Sequence, residues 1–166
     1  SGFNVIANEI ESSLRKKASQ YAQQNGIRLP MQQFTQANWL DFDHAFQHNS
    51  FHVTLVLGNS LCLLANSREV KHALRNFYKI LKPGGVLIVD ERNFQYILDK
   101  WEDIAKDPKR NFRYSREVMY CGDILQGFPT RKTRERVIFT YFKRTNSAWQ
   151  EIGQLSMLPF KRGQLL

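Results

Sequence analysis

Residues 53–64 read VTLVLGNSLCLL. An apolar run leads into Gly58, Asn59 and Ser60 and then turns apolar again. The run begins two residues earlier, as FHVTLVLG, and it is continuous rather than alternating. That is the pattern of a strand in a parallel sheet covered on both faces. Downstream, SREVKHALRNFYKIL reads as a helix with Val70, Ala73, Leu74, Phe77 and Leu81 on one face and Ser67 as its N-cap. KPGG breaks it, and VLIVDE follows as another buried strand. YILDKWEDIAKD reads as one further helix, ended by Asp107-Pro108. Upstream, residues 3–7 form an extended, β-branched run that ends at Asn8-Glu9. Next, IESSLRKKASQYAQQNG places Ile10, Leu14, Ala18 and Tyr21 on one helical face and stops at Gly26. RLPMQQFTQANW reads as a short strand and a loop. Strands and helices linked by crossovers make an α/β, doubly wound sheet.

After residue 106 the character changes. FRYSREVMYCGD, RERVIFTYFKR and WQEIGQLSML read as short strands joined by polar turns at CGD and TNS. The expected organisation is a Rossmann-like core over 1–106, an antiparallel β insertion over 107–158, and the start of the next core element over 159–166. The chain opens inside a strand and stops where a helix would begin, so the expectation is a sheet truncated at both ends. An open edge where a first strand belongs would invite pairing with another chain, and a homo-oligomer is one expected outcome.

Of the 166 residues, 42% are hydrophobic and 23% charged, which excludes a disordered chain. No apolar run approaches the ~20 residues of a membrane helix, so no membrane role is expected. Cys62 and Cys121 make neither a disulfide framework nor a metal-spaced cluster, and His44, His48, His52 and His72 have no metal spacing. No metal is expected, and the reducing cytoplasm is the expected compartment. The net charge is +9, and residues 106–144 hold eleven lysines and arginines against four acids. Such a patch attracts polyanions, but no RNA-binding signature accompanies it. A solvated basic face is the plainer reading, and nucleic acid is not the expected partner.

Ligands of open α/β sheets sit beyond the carboxyl ends of the strands. Polar residues stand at four such ends: Asn8-Glu9, Asn38-Trp39, Gly58-Asn59-Ser60 and the run 90–93, Asp-Glu-Arg-Asn. Glu9 could accept hydrogen bonds from both hydroxyls of a ribose, or simply stabilise a helix N-terminus. Asn38 and Trp39 offer an amide beside a flat ring, suited to an adenine; a core tryptophan is the alternative. Gly58 lets a ligand approach the backbone. Arg92 is a bidentate partner for a carboxylate, unless it pairs with Asp90 or Glu91.

GFNVIANEI…LRKKA, ANWLDF, VLGNSL and LKPGGVLIVDERNFQYIL resemble the class I S-adenosylmethionine-dependent methyltransferases, and within them the glycine and glycine/sarcosine N-methyltransferases. The resemblance runs from Gly2 to about Leu98 and more faintly to LPFKRGQLL. It implies S-adenosyl-L-methionine as cofactor and a small-molecule amine as substrate: glycine, sarcosine or dimethylglycine, as in betaine biosynthesis. Carried over by position, it assigns Glu9 to the cofactor ribose and Asn38 and Trp39 to the adenine. Leu57, Gly58, Asn59 and Ser60 fall beside the methionine part. Arg92 falls on the substrate carboxylate and Asn59 near the amine, the two residues nearest the chemistry. The family's glycine-rich first motif precedes the matching stretch and is not seen here. Phe94 and Leu158 stand where tyrosines are usual, and Leu63 falls near a family histidine, which points away from glycine itself and toward a larger or more methylated amine. Two alternatives stand beside this: a methyltransferase of the same fold acting on another amine or on RNA, and a non-catalytic binding module.

Overall fold

A computed structural model describes residues 4–27, 34–120, 122–146 and 148–165. The chain forms two compact units, Ser1–Thr54 with Lys71–Leu87, and Leu55–Val70 with Ile88–Leu166. The units interleave along the sequence.

In the first unit, β1 (Ala7–Asn8) pairs in parallel with β2 (Phe34–Thr35). Residue 3 of the expected extended run 3–7, the segment 28–33 that opens the expected short strand, and Cys121 lie outside the described residues. Helix α1 (Ser12–Gln24) joins the two strands. Its first turn is capped by Glu11, whose side chain accepts the Ser13 N–H, and the chain leaves it through Gly26 at φ 67°. The expected inward stripe is corrected here. Ile10, Leu14, Ala18 and Tyr21 are exposed, and Ala22 is the buried position. The cap and the β1–β2 pairing fix how the helix enters and leaves, and thereby which face turns inward.

A 3₁₀ turn at Trp39–Asp41 leads into the short helix α2 (Phe42–Ala45). Asn76 of helix α3 (Ser67–Ile80) is fully buried and donates to the carbonyls of both Trp39 and Leu40, at 2.9 Å each. Phe77 receives the edges of Trp39 and Phe42. The expected face of α3 is the buried one, through Val70, Ala73, Phe77 and Leu81, with Leu74 half-buried. Its cap differs from expectation. Asn66, not Ser67, accepts the N–H groups of Arg68 and Glu69, because the helix begins at Ser67 itself.

Strands β3 (Phe51–Val56) and β4 (Leu81–Val89) are hydrogen-bonded neighbours. β4 starts directly after α3, so KPGG lies inside the strand, with Gly84 at φ 77°. Gly85 has no room for a side chain: a Cβ would lie 2.8 Å from the Lys82 carbonyl oxygen. The expectation of two doubly covered strands is corrected. Val53, Leu55, Val86 and Ile88 are about half exposed. A continuous apolar run reports that both faces suit an apolar cover, not that this chain supplies both covers.

In the second unit the single expected helix is two, α4 (Phe94–Asp99) and α5 (Trp101–Lys106), ended at Asp107 as expected, and a further short helix α6 (Pro108–Asn111) follows. The break falls at Lys100. Asp107 both ends α5 and caps α6, accepting the Arg110 N–H ahead of Pro108 at the first helical position. These helices pack on an antiparallel sheet of β5 (Val118–Tyr120), β6 (Asp123–Lys132), β7 (Val137–Thr145) and β8 (Ala148–Met157), in that spatial order. The three expected strands are thus four. β6 carries Gly127 and Pro129, which read as turn residues in sequence. In the sheet, Gly127 lies under the Tyr141 ring, where a Cβ would come within 2.6 Å of it, and the register shifts between Pro129 and Arg131. Phe94, Ile97, Ile104, Phe112, Val137, Phe139 and Met157 form one core with Cys62. Among the described residues no helix is long and apolar enough to cross a membrane.

Asn76→Ala leaves two buried carbonyls without their donor. We expect a loss of about 1–3 kcal/mol in urea unfolding of the full chain; an unchanged midpoint would remove Asn76 from the set of residues that hold the Trp39 turn.

Candidate functional site

The polar strand ends of the first unit are tied by Asn8. Its Oδ1 accepts the Ala37 N–H at 3.0 Å and the Thr35 hydroxyl at 2.8 Å, and its Nδ2 donates to the Ala37 carbonyl at 3.1 Å. Glu9 and Asn38 each follow this bracket by one residue, so the ends of β1 and β2 present them together. The Glu9 N–H donates to the Thr35 carbonyl, and its Oε1 accepts the Glu11 N–H at 2.9 Å. That local bond is the helix-entry role, and it leaves Oε2 uncommitted. Asn38 Oδ1 caps the following turn at the Leu40 N–H, 3.0 Å away, which leaves its NH₂ uncommitted. Trp39 is half-buried, edge-on to Phe77 at 5.5 Å. Asn8 is the residue the sequence left without a role. A short polar side chain at a strand end was the only signal.

The strand ends of the second unit are tied by Asp90. Its N–H donates to the Val56 carbonyl, its carbonyl accepts the Asn59 N–H, and its Oδ2 accepts the Gly58 N–H at 3.2 Å. These three bonds lock the loop after β3 against the end of β4. The loop then turns through two left-handed residues, Gly58 at φ 75° and Asn59 at φ 61°. Glycine carries no strain there, and asparagine tolerates it better than most residues. A Cβ on Gly58 would meet nothing nearer than Ser60 Oγ at 4.0 Å, so the backbone is open to approach. Leu57 is about half exposed, and Ser60 Oγ donates to its carbonyl at 2.7 Å.

Beyond Asp90, Glu91 turns inward. Its Oε1 accepts the Cys62 N–H at 3.0 Å, while Oε2 is buried without a hydrogen-bond partner. Burial raises its carboxyl above the usual 4.5. The Cys62 thiol donates to the Asn59 carbonyl at 2.9 Å. Burial, and then the neighbouring Glu91 charge, push that thiol far up, so it stays protonated and unreactive. In the sequence Glu91 stood as a strand-end acid and a possible partner of Arg92, and Cys62 as a cysteine outside any framework; their meeting depends on the fold.

Arg92 makes no ion pair with Asp90 or Glu91. Its guanidinium carbon lies 4.3 Å from the centre of the Phe139 ring, and its buried Nε has no partner. Tyr141 lies near enough for the Arg92 charge to draw its hydroxyl pKa down, against a larger rise from burial. Arg92 lines a pocket of about 590 Å³ with Tyr96, Lys100, Phe160, Lys161 and Arg162 among its other walls. Phe94 is fully buried in the core of this unit. Leu63 is about half exposed, and the Leu158 N–H donates to the Cys62 carbonyl at 2.7 Å. Glu9, Asn38 and Trp39 belong to the first unit; Leu57, Gly58, Asn59, Ser60 and Arg92 belong to the second.

A family model described as "Methyltransferase domain" matches residues 1–89. The glycine/sarcosine N-methyltransferase of Halorhodospira halochloris is 28% identical over 161 residues, which is 97% of this chain and 53% of that protein. The enzyme of the same description from Parasynechococcus marenigrum (strain WH8102) is 25% identical over 98% of this chain and 52% of its own length. The chain therefore spans about half the length of these relatives. Among solved structures, an S-adenosylmethionine-dependent methyltransferase from Clostridium acetobutylicum ATCC 824 superposes with a TM-score of 0.64 at 13% identity. That match covers 96% of this chain and 59% of that one. At such identity the likeness concerns the fold: a Rossmann-like class I sheet, as expected from the sequence.

The raised Glu91 carboxyl sets a sign for stability against pH. A carboxyl whose folded pKa lies above its unfolded one is costly once ionised, so its folded state loses stability as pH rises from about 4.5 through the folded value. Glu91→Gln keeps an oxygen for the Cys62 N–H and cannot ionise. We expect the melting temperature of the variant, relative to the parent, to rise between pH 4 and pH 7. A difference that stays flat across that range would show that the buried oxygen carries no such cost.

Proposed function

The chain belongs to the methyltransferase-domain family, and from that premise we propose that it works as an S-adenosyl-L-methionine-dependent N-methyltransferase on a small amino acid amine, of the class of glycine, sarcosine or dimethylglycine. The observation that carries this reading is Arg92. Its guanidinium is held on the face of Phe139, has no acidic partner among the described residues, keeps a buried donor unsatisfied there and lines a pocket. A guanidinium so held is ready for a carboxylate. The glycine/sarcosine relatives, matched over nearly the whole of this chain, support the same substrate class.

The residues present fit the cofactor in kind. Gly58 leaves its backbone open, Glu9 keeps one carboxylate oxygen for a ribose, and Asn38 keeps its NH₂ for an adenine. When bound, S-adenosyl-L-methionine would supply an electrophilic methyl group on a sulfonium. What remains for the chain is positioning. Arg92 fixes the carboxylate end of the amine, and Asn59 orients the nitrogen. The amine must be unprotonated to attack, so the site holds a neutral lone pair in line at near-attack distance. Positioning of this kind reaches effective molarities of ~10⁵ M or more. Carbonyl dipoles beside the reacting atoms would favour the positive charge that a methylated amine carries. Neither the reaction nor these roles requires a metal. On this reading the chain works in the reducing cytoplasm, and the N-methylated amino acids of betaine biosynthesis are its products.

Calorimetric titration of the full chain with S-adenosyl-L-methionine and S-adenosylhomocysteine tests the cofactor half, and stoichiometric binding of either is expected. Glu9→Ala should weaken that binding; unchanged affinity would remove Glu9 from the ribose role. Arg92→Ala should leave cofactor affinity nearly unchanged and raise the KM for the amine about 10- to 100-fold, the scale of a lost charge-assisted hydrogen bond. An unaltered amine KM would take Arg92 out of the substrate site.

A further inference from the structure

Arg92 accounts for one carboxylate, but it is not the only cation in its pocket. Lys100, Lys161 and Arg162 line the same 590 Å³ space. All three are exposed, and among the described residues none has an acidic partner within ion-pair distance. Lys100 follows α4, while Lys161 and Arg162 sit in the C-terminal turn, closed by the Lys161 N–H on Gln164 Oε1 at 2.7 Å. Two acids face these four cations. Asp99 accepts the Gln95 amide at 2.8 Å, and Glu91 Oε1 is committed to the Cys62 N–H. Burial also favours the neutral form of Glu91. The four cations outnumber the two acids, so the pocket is electropositive, and one bidentate carboxylate on Arg92 would still leave an excess of at least one positive charge. Like charges lining one space repel each other until an anion enters.

We propose that this pocket takes a small amine bearing two anionic groups, one on Arg92 and the second on the cations Lys100, Lys161 and Arg162. The word amine rests on the methyltransferase reading; the two-anion site does not. The second group is a carboxylate or a phosphoryl group, since either presents acceptor oxygens to lysine and arginine. The mostly aliphatic and aromatic remainder of the wall, Tyr96 and Phe160 included, lowers the local dielectric and strengthens such contacts.

The test is calorimetry of the full chain at low ionic strength with three probes that share an amino group and a carboxylate: glycine, aspartate and O-phosphoserine. At least one of the last two should bind about tenfold or more tighter than glycine, the scale of one added charge-assisted contact. Tighter aspartate would identify a second carboxylate, and tighter O-phosphoserine a phosphoryl group. The preference should fall as salt is raised. Lys161→Gln with Arg162→Gln, both exposed and outside the core, should bring the preferred probe down to the level of glycine. Lys161→Arg should retain the preference. Equal binding of all three probes, no binding of any, or a preference that survives the double substitution would overturn the proposal. Because no cofactor is needed in these titrations, failure of S-adenosyl-L-methionine to bind would count against the methyltransferase reading and leave this result standing.

Discussion

Both sides of the Cys62 peptide are gripped. Its N–H donates to Glu91 Oε1, at the end of β4, and its carbonyl accepts the Leu158 N–H, just past β8. The side chain is fully buried in the core of the antiparallel sheet and its helices. Arg136 fastens the same joint from the other side, donating to the Leu64 and Ala65 carbonyls and to the carbonyl and hydroxyl of Ser156. The turn after Ser60 is thus anchored to the strand end that carries Arg92 and to the sheet that carries Phe139. Every position in the second half of the candidate site follows from that joint. Without it, the loop 57–60 would be tied to the end of β4 by the bonds of Asp90.

The electrostatics of the site depend on the same packing. Arg92 is held by an aromatic face rather than by an acid, so its charge stays available while its stem is fixed. A carboxylate partner would have neutralised it; a ring attracts the cation weakly and leaves its donors free. Glu91 is adjacent in sequence and could have been that partner. It is drawn away by the Cys62 N–H instead, and burial discourages its ionisation. The separation of this acid from this base is what leaves the pocket positive.

The α/β character, helices α1 and α3, the positions of β3 and β4 and an antiparallel segment after them were all legible from apolar periodicity and from turn residues. Three features were not. The face of α1 depends on where its cap and strands hold it, which periodicity does not contain. β6 was hidden because Gly127 and Pro129 are turn residues in isolation, and only the Tyr141 ring and the shifted register explain them within a strand. The helix after Asn93 was read as one because no glycine or proline marks the break at Lys100. In the site, Glu9, Asn38, Gly58 and Arg92 were legible because they stand at strand ends, where the rule for open sheets directs attention. Asn8, Glu91 and Cys62 were not, because each acts through a residue about 29 positions away.

For several strand-end residues the structural and the ligand-binding readings are compatible rather than opposed. Glu9 uses one oxygen on the Glu11 N–H, Asn38 uses its oxygen on the Leu40 N–H, and Ser60 uses its hydroxyl hydrogen on the Leu57 carbonyl. Each bond removes rotamer freedom and leaves the opposite atom at a fixed place. A ligand that meets such an atom has less side-chain entropy to freeze than one that must order a free side chain. A residue committed locally is therefore better suited to binding, so long as one polar atom is left over. Arg92 is fixed by a different route: its local commitment is to a ring face, which consumes no hydrogen-bond donor.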